Sequence, residues 1–337
     1  MLSDATLQIS LAVIVCIFIA VMVFYGWRAR RAIARIEARF PPRAEFTTVD
    51  GVRLHVRRTG PATGKSGEPA ILVLHGAASN LEEPYLALAE TFASEPVIWL
   101  DRPGLGWSER PEGAWTPRNE AALIARLIET LDCGPVTVVG HSWGGAIAMR
   151  LAMDHPDRVD SIVLIAPALS AWIGDAAWFN AASFWPVLGP LITHFIVPLI
   201  GERQAMSGAH SAFHPEPVPD DYLNRTALPL LLRPATWRAN ARDMMQVNFH
   251  LEAQEDGYED ITQPTEIIAA KGDTVLWSHR HGGMVAKRLQ RGALRWVNGA
   301  GHNLHHHHPR IVLDAIMNVR SLSADSAGKP AMTGPAA

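Results

Sequence analysis

The chain has 337 residues, enough for about two domains or for one large α/β domain with an insertion. Hydrophobic residues make up 48% and charged residues 19%, which is apolar for a freely soluble protein, and a formal net charge of −3 disfavours a general nucleic-acid binder. Two cysteines, Cys16 and Cys133, exclude a disulfide scaffold and a cysteine zinc site.

The N-terminal segment predicts a transmembrane helix. No charged residue lies between Asp4 and Arg28, and residues 7–25 would span about 28 Å as a helix, close to the thickness of a hydrocarbon core. The basic n-region and small-residue cleavage site of a signal peptide are missing from this stretch. Tyr25 and Trp27 suit the membrane interface, and arginines follow at positions 28, 30, 31 and 35. We therefore expect a single-pass protein that contacts the lipid bilayer through one helix, with its body on the cytoplasmic side.

Strands and helices alternate through the rest of the chain. Phe40-Pro41-Pro42 ends the first helix, and Asp50-Gly51 predicts a hairpin between strands 45–49 and 52–57. Further strands are predicted at 70–74, 97–100, 136–139, 161–165, 266–270 and 294–297, and helices at 82–92, 119–131, 144–153, 279–289 and 309–319. Such alternation is typical of an α/β sheet with right-handed crossovers.

The alternation stops for about ninety residues, which predicts an inserted helical cap because structureless loops of that length are uncommon. We expect an anchor and basic juxtamembrane helix at 1–40, an α/β core at 41–166 and 261–320, a helical cap or lid at 167–260, and a disordered tail at 321–337.

A serine lies in a motif that favours nucleophilic chemistry. Gly140-His141-Ser142-Trp143-Gly144 follows a predicted strand and opens a predicted helix, the G-x-S-x-G context in which a strained turn exposes the serine hydroxyl. A serine needs a base, and the base needs an orienting acid. Asp273 and His302 each follow a later predicted strand, in the order Ser, Asp, His, so we expect the three to form a catalytic triad.

An acyl-transfer site also needs two backbone N–H donors for the developing oxyanion. The residue after the serine, Trp143, can supply one, and Ala77, which follows His75-Gly76 at the end of the first core strand, can supply the other. We expect His75 to shape this loop, and Asn80 either to line the substrate pocket or to cap the loop.

Five motifs in this order resemble the α/β-hydrolase superfamily: LHGAASN (74–80), DRPGLGWS (101–108), GHSWGG (140–145), KGDT (271–274) and GAGH (299–302). The resemblance covers about residues 46–320. It implies a mostly parallel eight-stranded sheet with helices on both faces, Ser142 as nucleophile, Asp273 as acid, His302 as base, and no metal or cofactor. It gives Arg102 a structural ion-pair role. Relatives with aspartate at the elbow open epoxides or remove halides, and Ser142 argues against both.

By its hydropathy, an uncharged stretch at 176–201 could also be assigned as a second transmembrane segment. One further span would separate Ser142 from Asp273 and His302, and three prolines interrupt the helix, so we expect cap helices that line an apolar pocket or a lid face on the bilayer interface. Trp178 and Trp185 are the predicted substrate-binding residues of this stretch. The histidines at 305–308 have no acidic or cysteine residues next to them in sequence, so we expect structural or solvent-facing rings and no metal site.

The sequence thus predicts a membrane-anchored serine hydrolase that cleaves an ester-like bond of a hydrophobic or lipid-derived molecule through an acyl-serine, without a cofactor. Two alternatives use the same triad: a C–C bond hydrolase and a cofactor-free perhydrolase. A third is a non-catalytic, membrane-tethered accessory or binding module.

Overall fold

One eight-stranded sheet organises the computed structural model, which describes residues 4–61, 68–171 and 177–327. The strand order is β1-β2-β4-β3-β5-β6-β7-β8. Strands β3 to β8 run parallel to one another, whereas β1 pairs antiparallel with β2 and β2 antiparallel with β4. The predicted α/β-hydrolase fold is therefore confirmed. The strands are β1 Glu45–Val49, β2 Val52–Thr59, β3 Ile71–Leu74, β4 Val97–Leu100, β5 Val136–His141, β6 Val159–Ile165, β7 Thr265–Ala270 and β8 Gly292–Val297.

Helices pack on both faces of this sheet because its central strands are apolar on both sides. In β3, Leu72 and Leu74 join one hydrophobic core, which includes residues of α3 and α4, while Ile71 and Val73 join a second core with residues of α2 and α10. The helices are α1 Asp4–Arg39, α2 Glu82–Leu88, α3 Pro117–Thr130, α4 Trp143–Asp154, α5 Trp178–Ala182, α6 Leu188–Leu191, α7 Val197–Phe213, α8 Tyr222–Arg225, α9 Pro234–Glu255 and α10 Pro309–Ala327.

Helix α1 contains the predicted membrane span. It is the one helix in the described residues that is long and apolar enough to cross a membrane, and it ends before the predicted Pro41-Pro42 break. Most side chains from residue 8 to residue 28 are exposed, whereas a stripe at three- and four-residue spacing is partly or fully covered. This stripe ends at Ile36 and Phe40, which pack in one cluster with Val197, Leu230 and Leu232.

Residues 177–260, which lie between β6 and β7 and are called the cap region below, contain helices α5 to α9. A π-helical turn at Ile192–Ile196 and a 3₁₀ turn at Leu228–Leu232 connect its helices. Helix α9 contacts the core through Arg110, which lies between β4 and α3. The Arg110 guanidinium forms two hydrogen bonds with the Asp243 carboxylate, at 2.8 and 2.9 Å.

Two elements differ from the sequence prediction. The predicted helix at 279–289 is a π-helical turn at His279–Met284 followed by a 3₁₀ turn. Gly282 and Gly283 are weak helix formers, and Gly282 packs closely against the β7 side chains Ile267 and Ala269. At the other end, α10 continues to Ala327, past the expected start of a disordered tail at Ser321, because Ser323 hydrogen-bonds Asp160 at 2.7 Å and the Leu322 carbonyl accepts from Arg291. Residues 328–337 of that tail and 1–3 of the anchor lie outside the described residues.

Candidate active site

Ser142 sits at the tight turn between β5 and α4. Its φ of 51° and ψ of −119° lie outside the regions that a serine ordinarily adopts, as the predicted nucleophile elbow requires. Hydrogen bonds hold the turn: the Ser142 N–H donates to Ile165 at 3.0 Å, and the Ser142 carbonyl accepts from the N–H of Gly145 and of Ala168.

Glycines make this turn sterically possible. A Cβ on Gly140 would lie 2.7 Å from the Gly144 carbonyl oxygen, and a Cβ on Gly144 would overlap the carbonyl oxygen of Leu74. The close approach of α4 to β3 and β5 therefore depends on the absence of side chains at both positions.

Asp273 and His302 form a hydrogen-bonded pair beside Ser142. Asp273 follows β7 and His302 follows β8, and the two loops are joined by the Gly272 N–H, which donates to Ala300 at 3.0 Å. Asp273 Oδ2 and His302 Nδ1 are 2.8 Å apart, and both side chains are buried. Asp273 Oδ1 accepts from the N–H groups of Val275 and Leu276 at 2.8 and 2.9 Å.

The environment of Asp273 favours its ionised form. Burial acts to raise the pKa of this carboxyl, but the adjacent His302 ring, the hydrogen bond from it and the two backbone N–H donors together lower the pKa below its usual value. A carboxylate in this state orients the His302 ring and leaves Nε2 as the nitrogen available to a partner.

Ser142 and His302 line the same cavity, so the structure brings all three predicted triad members to one edge of the sheet. No hydrogen bond between Ser142 Oγ and the His302 ring is present among the described residues. Catalytic hydrogen bonds are often long in unliganded enzymes and shorten when substrate binds.

The two predicted oxyanion donors also reach this site. Trp143 is the first residue of α4, where a backbone N–H has no intrahelical acceptor, and Ala77 lies in the loop after β3. Both residues line the cavity with Ser142. Within the described residues, neither N–H has a hydrogen-bond partner, so both remain available to a ligand oxygen.

His75 holds this loop rather than entering the cavity, as expected. Its Nε2 accepts from the Arg102 N–H at 3.0 Å, and its Nδ1 lies 2.8 Å from the Gly76 carbonyl. Burial, with a smaller effect of Arg102, lowers the pKa of His75 to about 4, so the ring is neutral near pH 7. Arg102 itself has the predicted structural role, since its guanidinium is buried and pairs with Glu120 at 2.7 Å.

The cavity has a volume of about 610 Å³ and a mainly apolar wall. Aromatic and aliphatic side chains from the cap region contribute most of this wall: Phe179, Leu228, Leu231, Leu232, Trp237 and Met244. A pocket of this size and character suits a hydrophobic ligand.

The three predicted substrate-binding residues do not line this cavity. Asn80 is buried in the loop, where its amide donates to Ala227 at 3.2 Å and its oxygen accepts from the Glu82 N–H, so it caps the loop. Trp178 and Trp185 point outward and are 71% and 48% exposed. The aromatic wall residues are instead Phe179 and Trp237, because the short helix α5 turns Phe179 inward and its neighbour Trp178 outward.

The histidines at 305–308 have acidic partners that are distant in sequence. Glu83 Oε1 lies 3.0 Å from His305 Nε2 and 2.7 Å from His306 Nε2, and His308 pairs with Glu216 at 2.9 Å. Burial alone would raise the pKa of Glu83, but the two rings and their hydrogen bonds hold it well below its usual value. Glu83, His305 and His306 lie close enough together to hold a metal ion, yet their mutual hydrogen bonds already satisfy the converging atoms. The rings of His305, His306 and His308 therefore pair with acidic side chains of distant segments.

Comparison with known proteins agrees with this fold. The α/β hydrolase family profile matches residues 71–315, most of the chain. The chain belongs to this family. A poly(3-hydroxyalkanoate) depolymerase from Ectopseudomonas oleovorans is 37% identical over 114 residues, which are 34% of this chain and 40% of that protein. The chain thus spans well under two thirds of the length of this relative.

Two further proteins align more broadly. The magnesium-chelatase 30 kDa subunit of Rhodobacter capsulatus is 29% identical over 263 residues, which are 74% of this chain and 88% of that protein. The solved structure of a membrane phospholipase A, a bacterial virulence factor, has a TM-score of 0.64 at 18% identity and covers 93% of this chain and 99% of that chain. This structural likeness supports the α/β hydrolase fold.

Sequence reasoning missed Asn240, a polar residue of this α/β hydrolase site that contacts the proposed oxyanion loop. Asn240 of α9 lines the cavity, and its Oδ1 accepts from the Ala78 N–H at 2.6 Å. Ala78 adopts a φ of 51° next to the proposed donor Ala77. No sequence motif marks Asn240, because the contact joins residues 162 positions apart.

Proposed function

We propose that the chain is a membrane-anchored serine hydrolase that cleaves an ester-like bond of a hydrophobic substrate through an acyl-Ser142 intermediate. The main support for this proposal is the hydrogen bond between Asp273 and His302, whose ring lines the same cavity as the elbow serine. The similarity to a poly(3-hydroxyalkanoate) depolymerase adds support for ester chemistry.

In this mechanism, His302 Nε2 accepts the Ser142 proton as Oγ attacks the carbonyl carbon. The backbone N–H groups of Ala77 and Trp143 stabilise the oxyanion, each by about 3 kcal/mol. His302 then gives the proton to the leaving group, and the acyl-serine forms. Water attacks this ester as His302 takes its proton, and His302 then returns the proton to Ser142 Oγ as the acid leaves, which restores the free serine. Asp273 stays ionised, holds the ring tautomer and stabilises the imidazolium.

The cap region would select hydrophobic substrates. Its helices supply most of the apolar wall of the 610 Å³ cavity, which accommodates an acyl chain beside Ser142. We therefore propose the division made from the sequence, with the core at 41–166 and 261–320, the cap at 167–260 and the anchor at 1–40. Activity should rise with acyl chain length until the chain fills the cavity.

Helix α1 would anchor the enzyme in the bilayer with its body on the cytoplasmic side. The arginines at 28, 30, 31 and 35 follow the apolar run directly, and such residues favour the cytoplasmic face. Protease treatment of sealed, right-side-out cells or spheroplasts should spare the body, and opening the membrane should expose it.

Active-site labelling and ester hydrolysis test the catalytic proposal together. A fluorophosphonate probe should label the wild-type protein in detergent, and p-nitrophenyl esters of graded chain length should be turned over with an acyl-enzyme burst. Ser142→Ala should abolish labelling and lower kcat by at least about 10⁴-fold. Ser207→Ala, an exposed serine of α7, is the matched control and should retain both. Absence of label on wild-type protein, or full activity in Ser142→Ala, would refute the proposal.

A second candidate is a non-catalytic accessory module. The broad alignment with a magnesium-chelatase subunit favours this alternative. A binding module needs the cavity but not the triad, so wild-type and Ser142→Ala proteins would bind a hydrophobic ligand equally and neither would hydrolyse it. The labelling experiment separates the two candidates directly.

A further inference from the structure

One segment of the cap region is apolar and has no charged residue of its own. Residues 177–201 contain no Asp, Glu, Lys or Arg. Six of their large side chains are between 46% and 76% exposed, and together they define the apolar cap surface: Trp178, Trp185, Val187, Leu188, Ile196 and Ile200. Isolated exposed apolar residues are ordinary, whereas a concentration of this kind marks a protein or membrane contact.

Contacts with α1 fix the height of this surface relative to the proposed membrane span. The ring of Phe195 lies against Gly26, where an added Cβ would be 3.2 Å from Phe195 Cε1. Gly26 lies between Tyr25 and Trp27, at the end of the apolar run and two residues before Arg28. The cap region therefore meets α1 at the level where aromatic and basic residues mark a membrane interface.

Packing further along α1 keeps the two elements together. Ile36 and Phe40 belong to one buried cluster with Val197 of α7, and α1 also contacts the π-helical turn at Ile192–Ile196. Ile196, the exposed neighbour of Phe195, is part of the apolar cap surface. A span that places residues 8–25 in the hydrocarbon core therefore brings this surface to the bilayer.

The same helices form a wall of the substrate cavity. Gly201 and Ala205 of α7 line the cavity, while Ile200 is 55% exposed. In α5, Phe179 lines the cavity and is also 42% exposed, next to the outward-facing Trp178. A single helical layer thus separates the cavity from the apolar cap surface, and Phe179 reaches both.

We propose that the apolar cap surface rests on the bilayer that α1 enters, and that hydrophobic substrate moves from the bilayer past Phe179 to Ser142. This inference rests on the proposed anchor and hydrolase. A bilayer fits better than a protein partner because the proposed span of α1 enters the bilayer at this level, and because none of the six residues of the apolar cap surface carries a charge with which to specify a partner.

Fluorescence quenching in nanodiscs tests the contact in the full chain. Three proteins each carry one labelled cysteine: native Cys16 in α1 after Cys133→Ser, Val187→Cys in a Cys16→Ser/Cys133→Ser background, and Glu129→Cys in the same background. Glu129 lies in the last turn of α3, which precedes the amino end of β5, the edge opposite Ser142. Nitroxide lipids should quench an environment-sensitive label at positions 16 and 187 by at least about threefold more than at position 129.

The three positions separate the possible failures. Quenching at 16 but not at 187 would overturn the bilayer contact while the anchor stands. No quenching at 16 would refute the anchor and the inference with it. A label at 187 that is shielded from solvent yet not quenched by lipid would indicate a protein partner and would also overturn the proposal.

A kinetic comparison tests substrate entry. Leu188→Asp/Ile200→Asp should lower kcat/KM about tenfold for a long-chain ester dissolved in the nanodisc bilayer, and less than about twofold for a short soluble p-nitrophenyl ester. Met317→Asp, on α10, replaces a comparably exposed apolar side chain and should change neither value. Equal losses on the two substrates, or no loss on either, would contradict entry from the bilayer.

Discussion

The hydrogen bond from Ala78 to Asn240 gives a sharp test of how the site is held. Ala78 follows the proposed oxyanion donor Ala77, and its φ of 51° is unfavourable for a residue with a Cβ, by about 1 kcal/mol. Asn240 Oδ1, at 2.6 Å from the Ala78 nitrogen, is the one cap-region acceptor that this N–H meets among the described residues. The loop conformation that presents Ala77 therefore depends on a side chain of α9.

Asn240→Leu removes the acceptor while keeping a side chain of similar size. A neutral hydrogen bond contributes about 1 kcal/mol net, so the free energy of unfolding should fall by roughly that amount. Loss of a whole oxyanion donor costs about 100-fold to 1,000-fold in kcat. A shifted but present Ala77 should cost less than this, so we expect kcat to fall about tenfold to 100-fold.

Steady-state kinetics on a short ester, which does not use the distal cavity wall, measures the effect. Asn180→Leu is the matched control, because Asn180 is also a cap-region amide that lines the cavity. We expect this control to alter KM for long esters and to leave kcat within about twofold. A wild-type kcat in Asn240→Leu, or the same fall in both variants, would refute the positioning role.

Three further predictions concern the fold around the site. Gly144→Ala should lower the free energy of unfolding by at least about 2 kcal/mol and abolish activity. Gly208→Ala, in a helix with open space around the added Cβ, should instead raise the free energy of unfolding by about 0.5–1 kcal/mol. Thermal unfolding in detergent compares the two variants. Burial lowers the pKa values of His75 and His281 to about 4, below the usual 6.5. The unfolded chain takes up these protons below about pH 6.5, whereas the folded chain takes them up only below about pH 4. The free energy of unfolding should therefore fall as the pH is lowered through this interval, by up to about 3 kcal/mol per ring. Urea midpoints that stay constant from pH 7 to 4.5 would contradict this prediction. Glu83→Gln should cost about 2–3 kcal/mol, while a chelator should leave the Tm of wild-type protein unchanged.

The parts of the site that lie next to strand ends could be predicted from the sequence. Ser142, Asp273 and His302 each follow a short apolar strand, and a parallel sheet places the carboxyl ends of its strands on one edge. Local patterns of glycine and apolar residues were therefore enough to predict that these three residues lie at the same edge of the sheet. The same holds for the hairpin, where Asp50 and Gly51 adopt the positive φ values that a two-residue turn requires.

Contacts that join distant segments could not be predicted in this way. Glu83 meets His305 and His306 across more than 220 residues, and nothing near 305–308 in the sequence signals an acid. The sequence leaves two interpretations of Asn80 open, and although its bond with the Glu82 N–H is local, its bond to the distant Ala227 carbonyl is not signalled by the sequence. In each case the partner is chosen by how distant segments of the chain pack, which local propensity does not specify.

The apolar stretch at 176–201 shows a similar limit to what mean hydropathy can predict. Ala176 itself lies outside the described residues. Mean hydropathy adds both faces of a helix, so a stretch that lines a cavity on one side and is exposed on the other scores like a membrane span. In α5, the inward Phe179 and the outward Trp178 both raise that score, yet they face different surroundings. The sequence could therefore predict an apolar segment, whereas the face that it turns toward α1 depends on the contact of Phe195 with Gly26 and on the packing of Val197 with Ile36, which join distant parts of the chain.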